Sequence, residues 1–385
     1  MAGIWISSQQ SYTSSPSSSE YDLAITRLVM PEKDENLSSE KGNAILKVTS
    51  DYTDMSIETD TNEVISEECN CEGENFCFQA YVDGKRTSRG KPFNCQLLKY
   101  LKQYGLDSST KLETVKSFSF EEVVIVTYAS TNHFAESRLA IKKIRNIMNN
   151  TIAYYDVGLR PHEVNELKTV CNLVYHKVNF SDFPPHTRNL HNYAFKPIID
   201  AIAYKSYKVY WYVDASIRFR HLSNLLDFYQ LLQSSALYDI DQVMNAIRTS
   251  HSQYFATHRG MHLYFPQNDA LARKTLMYAA GIQFVRRGSY SKEVLKWYLL
   301  CALDQYCMAP RDASQSCRNL KKDPFNMYGH CHRFDQSALG AIKMSIFARE
   351  RHNRINYTIW NKFLTVERST RLASHITNLA CPNKA

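Results

Sequence analysis

A single carboxylate closes the run 208-KVYWYVDASIRFR-220, where an apolar and aromatic stretch leads to Asp214 and then to Ser216, Arg218 and Arg220. A carboxylate at the mouth of an apolar strand either caps a following helix or holds something positive. The segment 216-SIRFRHLSNLLDFYQLL-232 has helical spacing, which keeps the cap reading open. As a hard oxygen ligand, Asp214 would hold a Mg or Mn ion that bridges the phosphates of a nucleotide. A second cluster, 330-HCHRFDQSALGAI-342, gathers two His, an Arg and an Asp ahead of another helical pattern, and there Asp335 also reads as an N-cap. Neither G-x-G-x-x-G nor G-x-x-x-x-G-K-[ST] occurs, which argues against a dinucleotide oxidoreductase or a P-loop NTPase. Cys301, Cys307, Cys317 and Cys331 lack the paired C-x-x-C spacing of a zinc knuckle and point to disulfides or buried thiols.

These residues need elements to position them. The continuous apolar runs 121–129, 151–158, 171–179 and 208–214 predict strands buried on both faces. Between them, 133–148 and 196–207 have helical spacing, and Pro197 suits a first helical turn. Alternation of this kind predicts an α/β fold with a mostly parallel sheet and helices on both faces. Ligands of such sheets collect beyond the carboxyl ends of the strands. Thr127, Ala129 and Asn132, in 127-TYASTNHF-134, and Asp156, in 154-YYD-156, stand at two such ends and suit a base and ribose platform. Small polar residues at these junctions also serve as turn and cap residues. Residues 1–65 are rich in Ser, Thr, Asp and Glu and read as a disordered or stem-like lead. Residues 66–118 read as a cysteine-containing accessory segment with a helix near 96–106, and residues 119–385 as the patterned α/β domain.

The segments 155-YDVGL-159, 180-FSDFPPHTRNLHNYAFKPIIDAI-202, 208-KVYWYVDASIRF-219 and 330-HCHRFDQSAL-339 together resemble a family of uncharacterised metazoan proteins that are similar to GT-A glycosyltransferases. The likeness covers roughly residues 119–350. It implies a GT-A-like, Rossmann-like sheet, a catalytic role for the domain of residues 119–385, a nucleotide-sugar donor and a Mn or Mg ion. In that family a strand ends in an Asp-x-Asp metal motif; here the motif is 214-DAS-216, so Ser216 stands for the second Asp and one strong anionic ligand remains. The resemblance implies that Lys196 steadies the donor diphosphate and that Asp335 is the general base; by residue type, Arg218 suits a contact to phosphate or acceptor and His332 a further metal ligand or a phosphate contact. The acceptor would be a hydroxyl of a glycan, protein or lipid. The degenerate metal motif sustains an alternative, a non-catalytic sugar- or nucleotide-binding pseudoenzyme. A methyltransferase using S-adenosylmethionine suits the strand and helix alternation, but its Gly-rich first turn is missing.

The 385 residues carry 46 basic and 38 acidic side chains, a net charge of +8 spread along the chain. Without Lys/Arg runs, the charge suits small anionic ligands and argues against a nucleic-acid partner. No window approaches the roughly 18 apolar residues of a membrane span. Ten cysteines and N-x-S/T sequons at Asn36, Asn149, Asn179 and Asn356 suggest an oxidising, glycosylating compartment, and the resemblance narrows this to the Golgi or secretory lumen. The start, MAGIWISSQQ, lacks the pattern of a signal peptide.

Overall fold

The chain folds from a cysteine-bearing segment onto a central sheet, as seen in a computed structural model that describes residues 65–234, 242–350, 362–368 and 379. Residues 1–64 of the expected lead, and the sequons at Asn36 and Asn356, lie outside the described residues. Strands β1 (Asn70–Cys71) and β2 (Glu74–Asn75) pair antiparallel, as do β3 (Gln79–Val82) and β4 (Lys85–Arg89). Disulfides Cys69–Cys77 and Cys71–Cys95 close this segment. Helix α1 (Leu98–Tyr104) stops at Gly105, whose φ of 70° suits a residue without a Cβ.

Downstream come β5 (Val124–Ala129), β6 (Ile152–Asp156), β7 (Leu173–Lys177), β8 (Val209–Val213) and β9 (Ile217–Phe219). They are followed by β10 (Val243–Asn245), β11 (Arg248–Ser252), β12 (Leu276–Tyr278), β13 (Ile282–Arg286) and β14 (Leu364–Val366). The helices among them are α2 (Thr131–Arg145), α3 (Pro161–Leu167), α4 (Phe195–Ser206) and α5 (Leu222–Gln233). Then follow α6 (Asp269–Lys274), α7 (Ser289–Leu303), α8 (Gln305–Met308) and α9 (Asp335–Arg349).

Six strands form one sheet in the order β10-β13-β8-β5-β6-β7. Strands β5, β6, β7 and β8 are mutually parallel, and only β13 runs against the rest. The mostly parallel, doubly covered α/β fold expected from the apolar runs is therefore the one observed. Every residue of β5, β6, β8 and β13 is buried, whereas β7, at the edge, is partly exposed.

Alternate residues of each strand feed two cores. Tyr128, Tyr155, Tyr210 and Tyr212 face one core, shared with α4, α7, α9 and the cysteine-bearing segment. Ile125, Tyr154, Trp211 and Phe284 face the other, shared with α2 and α5. The cysteine-bearing segment is pinned to α7 by a buried ion pair between Glu74 and Lys296. Phe78 adds an edge-to-face contact with Trp297 at 5.4 Å.

The helix expected from 216 onward begins later. Residues 217–219 pair with β14 as β9, and α5 starts at Leu222 with His221 at its N-cap. Asp214 thus caps no helix, because the chain first spends a strand covering the second core. The cysteines expected as disulfides or buried thiols form Cys301–Cys307 and Cys317–Cys331, and Cys171 is also disulfide-bonded.

Candidate active site

Asp214 follows the last residue of β8, and its backbone N–H donates to the Gly281 carbonyl at 2.8 Å, just before β13. The parallel register pairs Thr127 of β5 with Val213 of β8, so the next step places Tyr128 and Asp214 side by side on one face. The Tyr128 hydroxyl donates to Asp214 Oδ1.

Lys196 reaches the same place from the first turn of α4. The connection from β7 passes through short 3-10 turns capped by Asn179 and Asn189 and ends at Tyr193 in the left-handed region, φ 56° and ψ 9°. The chain then enters α4 with Lys196 directed at the strand ends. Asp335 arrives at the first position of α9, after Phe334 at φ 40° and ψ −105°, a conformation non-glycine residues rarely adopt. The rings of Tyr193 and Phe334 touch, with centroids 5.7 Å apart. Two unusual backbone positions therefore brace each other where Lys196 and Asp335 enter the site.

The result is a bridged triad. Lys196 Nζ lies 3.2 Å from Asp214 Oδ1 and 2.8 Å from Asp335 Oδ2. The Lys196 and Asp335 side chains are each 7% exposed, whereas that of Asp214 is 29% exposed and meets solvent. Phe334 holds the N-cap position of α9 and Asp335 is its first helical residue, which sets aside the reading of Asp335 as an N-cap. Burial, reinforced by the neighbouring Asp335 charge and opposed by Arg368, pushes the Asp214 carboxyl up to about 7. Gly281 closes the far side: a Cβ there would collide with Asp214 Oδ2.

Of the residues expected to form the site, the structure joins Asp214, Lys196 and Asp335 and employs several others elsewhere. Thr127 is buried and donates to the Val213 carbonyl at 2.9 Å, tying β5 to β8. Ala129 is buried as well. Asp156 accepts the backbone N–H groups of Gly158 and Leu159 at 2.7 and 2.6 Å and the Tyr175 hydroxyl at 2.6 Å, so its carboxylate builds the β6 turn. Asn132 is exposed, and its amide oxygen accepts from Ser130. The buried Arg218 guanidinium donates to the carbonyls of Ala215, Ile217, Glu136 and Glu367. These bonds hold β9 and β14 in place. Arg218 also borders a cleft of about 380 Å³ lined in part by Lys143, Arg220, His221 and Glu367, and none of the triad lines it.

His332 corrects the expected metal set. Its Nδ1 accepts from the His258 backbone N–H at 3.1 Å and its Nε2 donates to the Met308 carbonyl at 3.1 Å. Burial drives its pKa down to about 3 and keeps the ring neutral. With both nitrogens committed to backbone, it has no lone pair for an ion. Ser216 is half-buried, and its carbonyl accepts from the Glu367 N–H at 2.8 Å. Among the described residues, no group of three His, Cys, Asp or Glu is placed to hold a metal. The two carboxylates that could hold a Mn or Mg ion, Asp214 and Asp335, are bridged by the Lys196 ammonium, so the site as it stands does not fit the ion.

Sequence reasoning missed Tyr128, Gly281 and Arg368. Tyr128 lies within 127-TYASTNHF-134, but its place beside Asp214 follows only from cross-strand register.

Residues 65–201 match the model of a family described as a protein of unknown function, DUF1647. No curated protein matches the sequence. Among solved structures, the chain is similar to the galactosyltransferase LgtC in complex with donor and acceptor sugar analogues. That match has 16% identity and a TM-score of 0.32, over 62% of this chain and 99% of that one. An LgtC active-site mutant matches at 18% identity and TM-score 0.31, over 48% of this chain and 66% of that one, just under two thirds of its length. Core-mannan synthase A from Aspergillus fumigatus, in its Mn/GDP form, matches at 11% identity and TM-score 0.31, over 70% and 85% of the two chains. No residue role follows from overlaps at this level.

Proposed function

We propose that this protein is a glycosyltransferase that moves a sugar from a nucleotide-sugar donor to a hydroxyl on a glycan, protein or lipid. One observation carries the reading: a lysine ammonium is held between two carboxylates at the carboxyl ends of β5 and β8, where two helix N-termini converge. Departure of a diphosphate needs positive charge aimed at its oxygens, and Lys196, with Arg368 near Asp214, supplies it. The acceptor needs a base that solvent can reach.

Asp335 was expected in that role, but it is nearly sealed by its pairing with Lys196. Asp214 is the more exposed carboxylate, and a pKa of about 7 suits proton transfer near neutral pH. In the proposed step, the acceptor oxygen forms a bond to the anomeric carbon as the carbon–oxygen bond to the diphosphate breaks. The hydroxyl proton passes to Asp214, and the bonding electron pair leaves with the nucleoside diphosphate. Asp335 positions the ammonium.

The alternative is a nucleotide- or sugar-binding protein without turnover, favoured by Ser216 in place of a second acid and by a lysine whose charge is already shared. Incubation with a panel of nucleotide sugars distinguishes the two. Slow release of free nucleotide that Asp214→Asn lowers by about 10²- to 10⁴-fold supports the transferase; donor binding with no release supports the alternative. We place the protein in the secretory lumen, a reading supported by Cys69–Cys77, Cys71–Cys95, Cys301–Cys307 and Cys317–Cys331. Among the described residues no helix is long and apolar enough to cross a membrane.

A further inference from the structure

We infer that the site handles its diphosphate without a divalent ion, the Lys196 ammonium standing where such an ion would sit. This rests on the glycosyltransferase reading for the identity of the ligand, and on geometry alone for the place of the ammonium.

The two carboxylates an ion would need are already engaged by one cation, at 3.2 Å from Asp214 and 2.8 Å from Asp335. These are charge-assisted contacts, the stronger class of hydrogen bond. Lys196 Nζ also donates to Asp214 Oδ2 at 3.3 Å and Asp214 Oδ1 accepts from Tyr128, so both oxygens of that carboxylate are engaged while the ammonium is in place. Mg and similar ions bind through one or two protein carboxylates, with water and phosphate completing the shell, and here the ammonium occupies both carboxylates. The position that would complete an Asp-x-Asp pair is Ser216, and both His332 nitrogens are taken.

The ammonium has little room to withdraw. Its side chain is 7% exposed, and Nζ lies 5.2 Å from the Tyr193 ring centre and 5.9 Å from that of Tyr128. Were it to leave, Asp335 would remain buried and unpaired, a costly state in a low-dielectric setting. A lysine brings one positive charge where an ion brings two. Nucleotide binding should therefore be weaker and more salt-sensitive than binding bridged by a metal.

The test uses Mn alone, then UDP and GDP. By electron paramagnetic resonance, the parent protein should bind no Mn at millimolar metal. Its rise in Tm with UDP or GDP should be the same in Mn and in EDTA. Lys196→Met frees both carboxylates and should gain one bound Mn, with a rise in Tm on adding the metal. A parent that binds one Mn, lost in Asp214→Asn, overturns the inference, as does a nucleotide shift that requires Mn. The parent titration decides the matter even where Lys196→Met does not fold. No nucleotide shift under either condition, with Mn absent from the parent and gained by the variant, sinks the donor reading while upholding the place of Lys196.

Discussion

Asp214 and Asp200 are both acids whose carboxyls are pushed up to about 7, chiefly by burial, yet they have different consequences. For each, the folded pKa exceeds the ordinary value, so protonation favours the fold. The contribution to stability is complete below about 4 and is lost as pH rises through about 7. Catalysis at Asp214 runs the other way, because only the ionised form accepts a proton. Release of nucleotide from a donor should climb as pH rises through about 7 while resistance to urea declines. A rate that falls over the same window would contradict the assignment of the base. Asp200 accepts the Tyr210 hydroxyl at 2.6 Å through Oδ1, and among the described residues Oδ2 has no hydrogen-bond partner. Asp200→Asn should therefore stabilise the protein at pH 8, by an amount that shrinks toward pH 4. The linkage, on the order of 4 kcal/mol for a shift of this size, sets its upper bound. Equal urea midpoints for parent and variant at pH 8 would refute it. At this scale Asp214, Lys196 and Asp335 were legible because each stands where an element begins or ends. The local bonds of Asp156 and Arg218 were not legible, because a polar residue at a strand end serves a turn as readily as a ligand.

At the scale of elements, the strand runs were read closely. The apolar stretch 208–214 became β8 over Val209–Val213, and 121–129 became β5 over Val124–Ala129. The helix expected after Asp214 was delayed because alternation through Ile217 and Phe219 serves a short strand paired with β14, a partner remote in sequence. Pairing at that distance leaves no local mark. The approach of the Gly281 backbone to Asp214 is equally invisible in sequence, and it yields a prediction. Gly281 does not occupy the left-handed region, so Gly281→Ala needs no unusual backbone, but its methyl must displace the Asp214 carboxylate. Nucleotide affinity and donor turnover should each drop about tenfold or more, with stability lowered by no more than ~1–3 kcal/mol. Unchanged turnover in a folded Gly281→Ala protein would separate Asp214 from the chemistry.

Over the whole molecule, the cysteine-bearing segment expected as an accessory shares its core with the site. Phe76, Phe78 and Phe93 are buried in the cluster that holds Tyr128, Tyr212 and Phe334. The Glu74–Lys296 pair joins this segment to α7, and Glu74 also accepts from the Ser108 N–H at 2.5 Å. Glu74→Ala would strand Lys296 in a buried setting and should cost about 3–5 kcal/mol by urea denaturation; a loss below ~1 kcal/mol would show the pair to be hydrated. Composition could foretell the disulfides but not this docking, which depends on a single acid among many finding one lysine more than two hundred residues away.

The central claim is that the ammonium between Asp214 and Asp335 receives the diphosphate of a sugar donor. Its most direct test is calorimetric titration of UDP and GDP into the parent and Lys196→Met proteins, both in EDTA. The parent should bind at least one of the two nucleotides, and the variant should bind it at least about tenfold more weakly. Equal affinities in two folded proteins would contradict the claim.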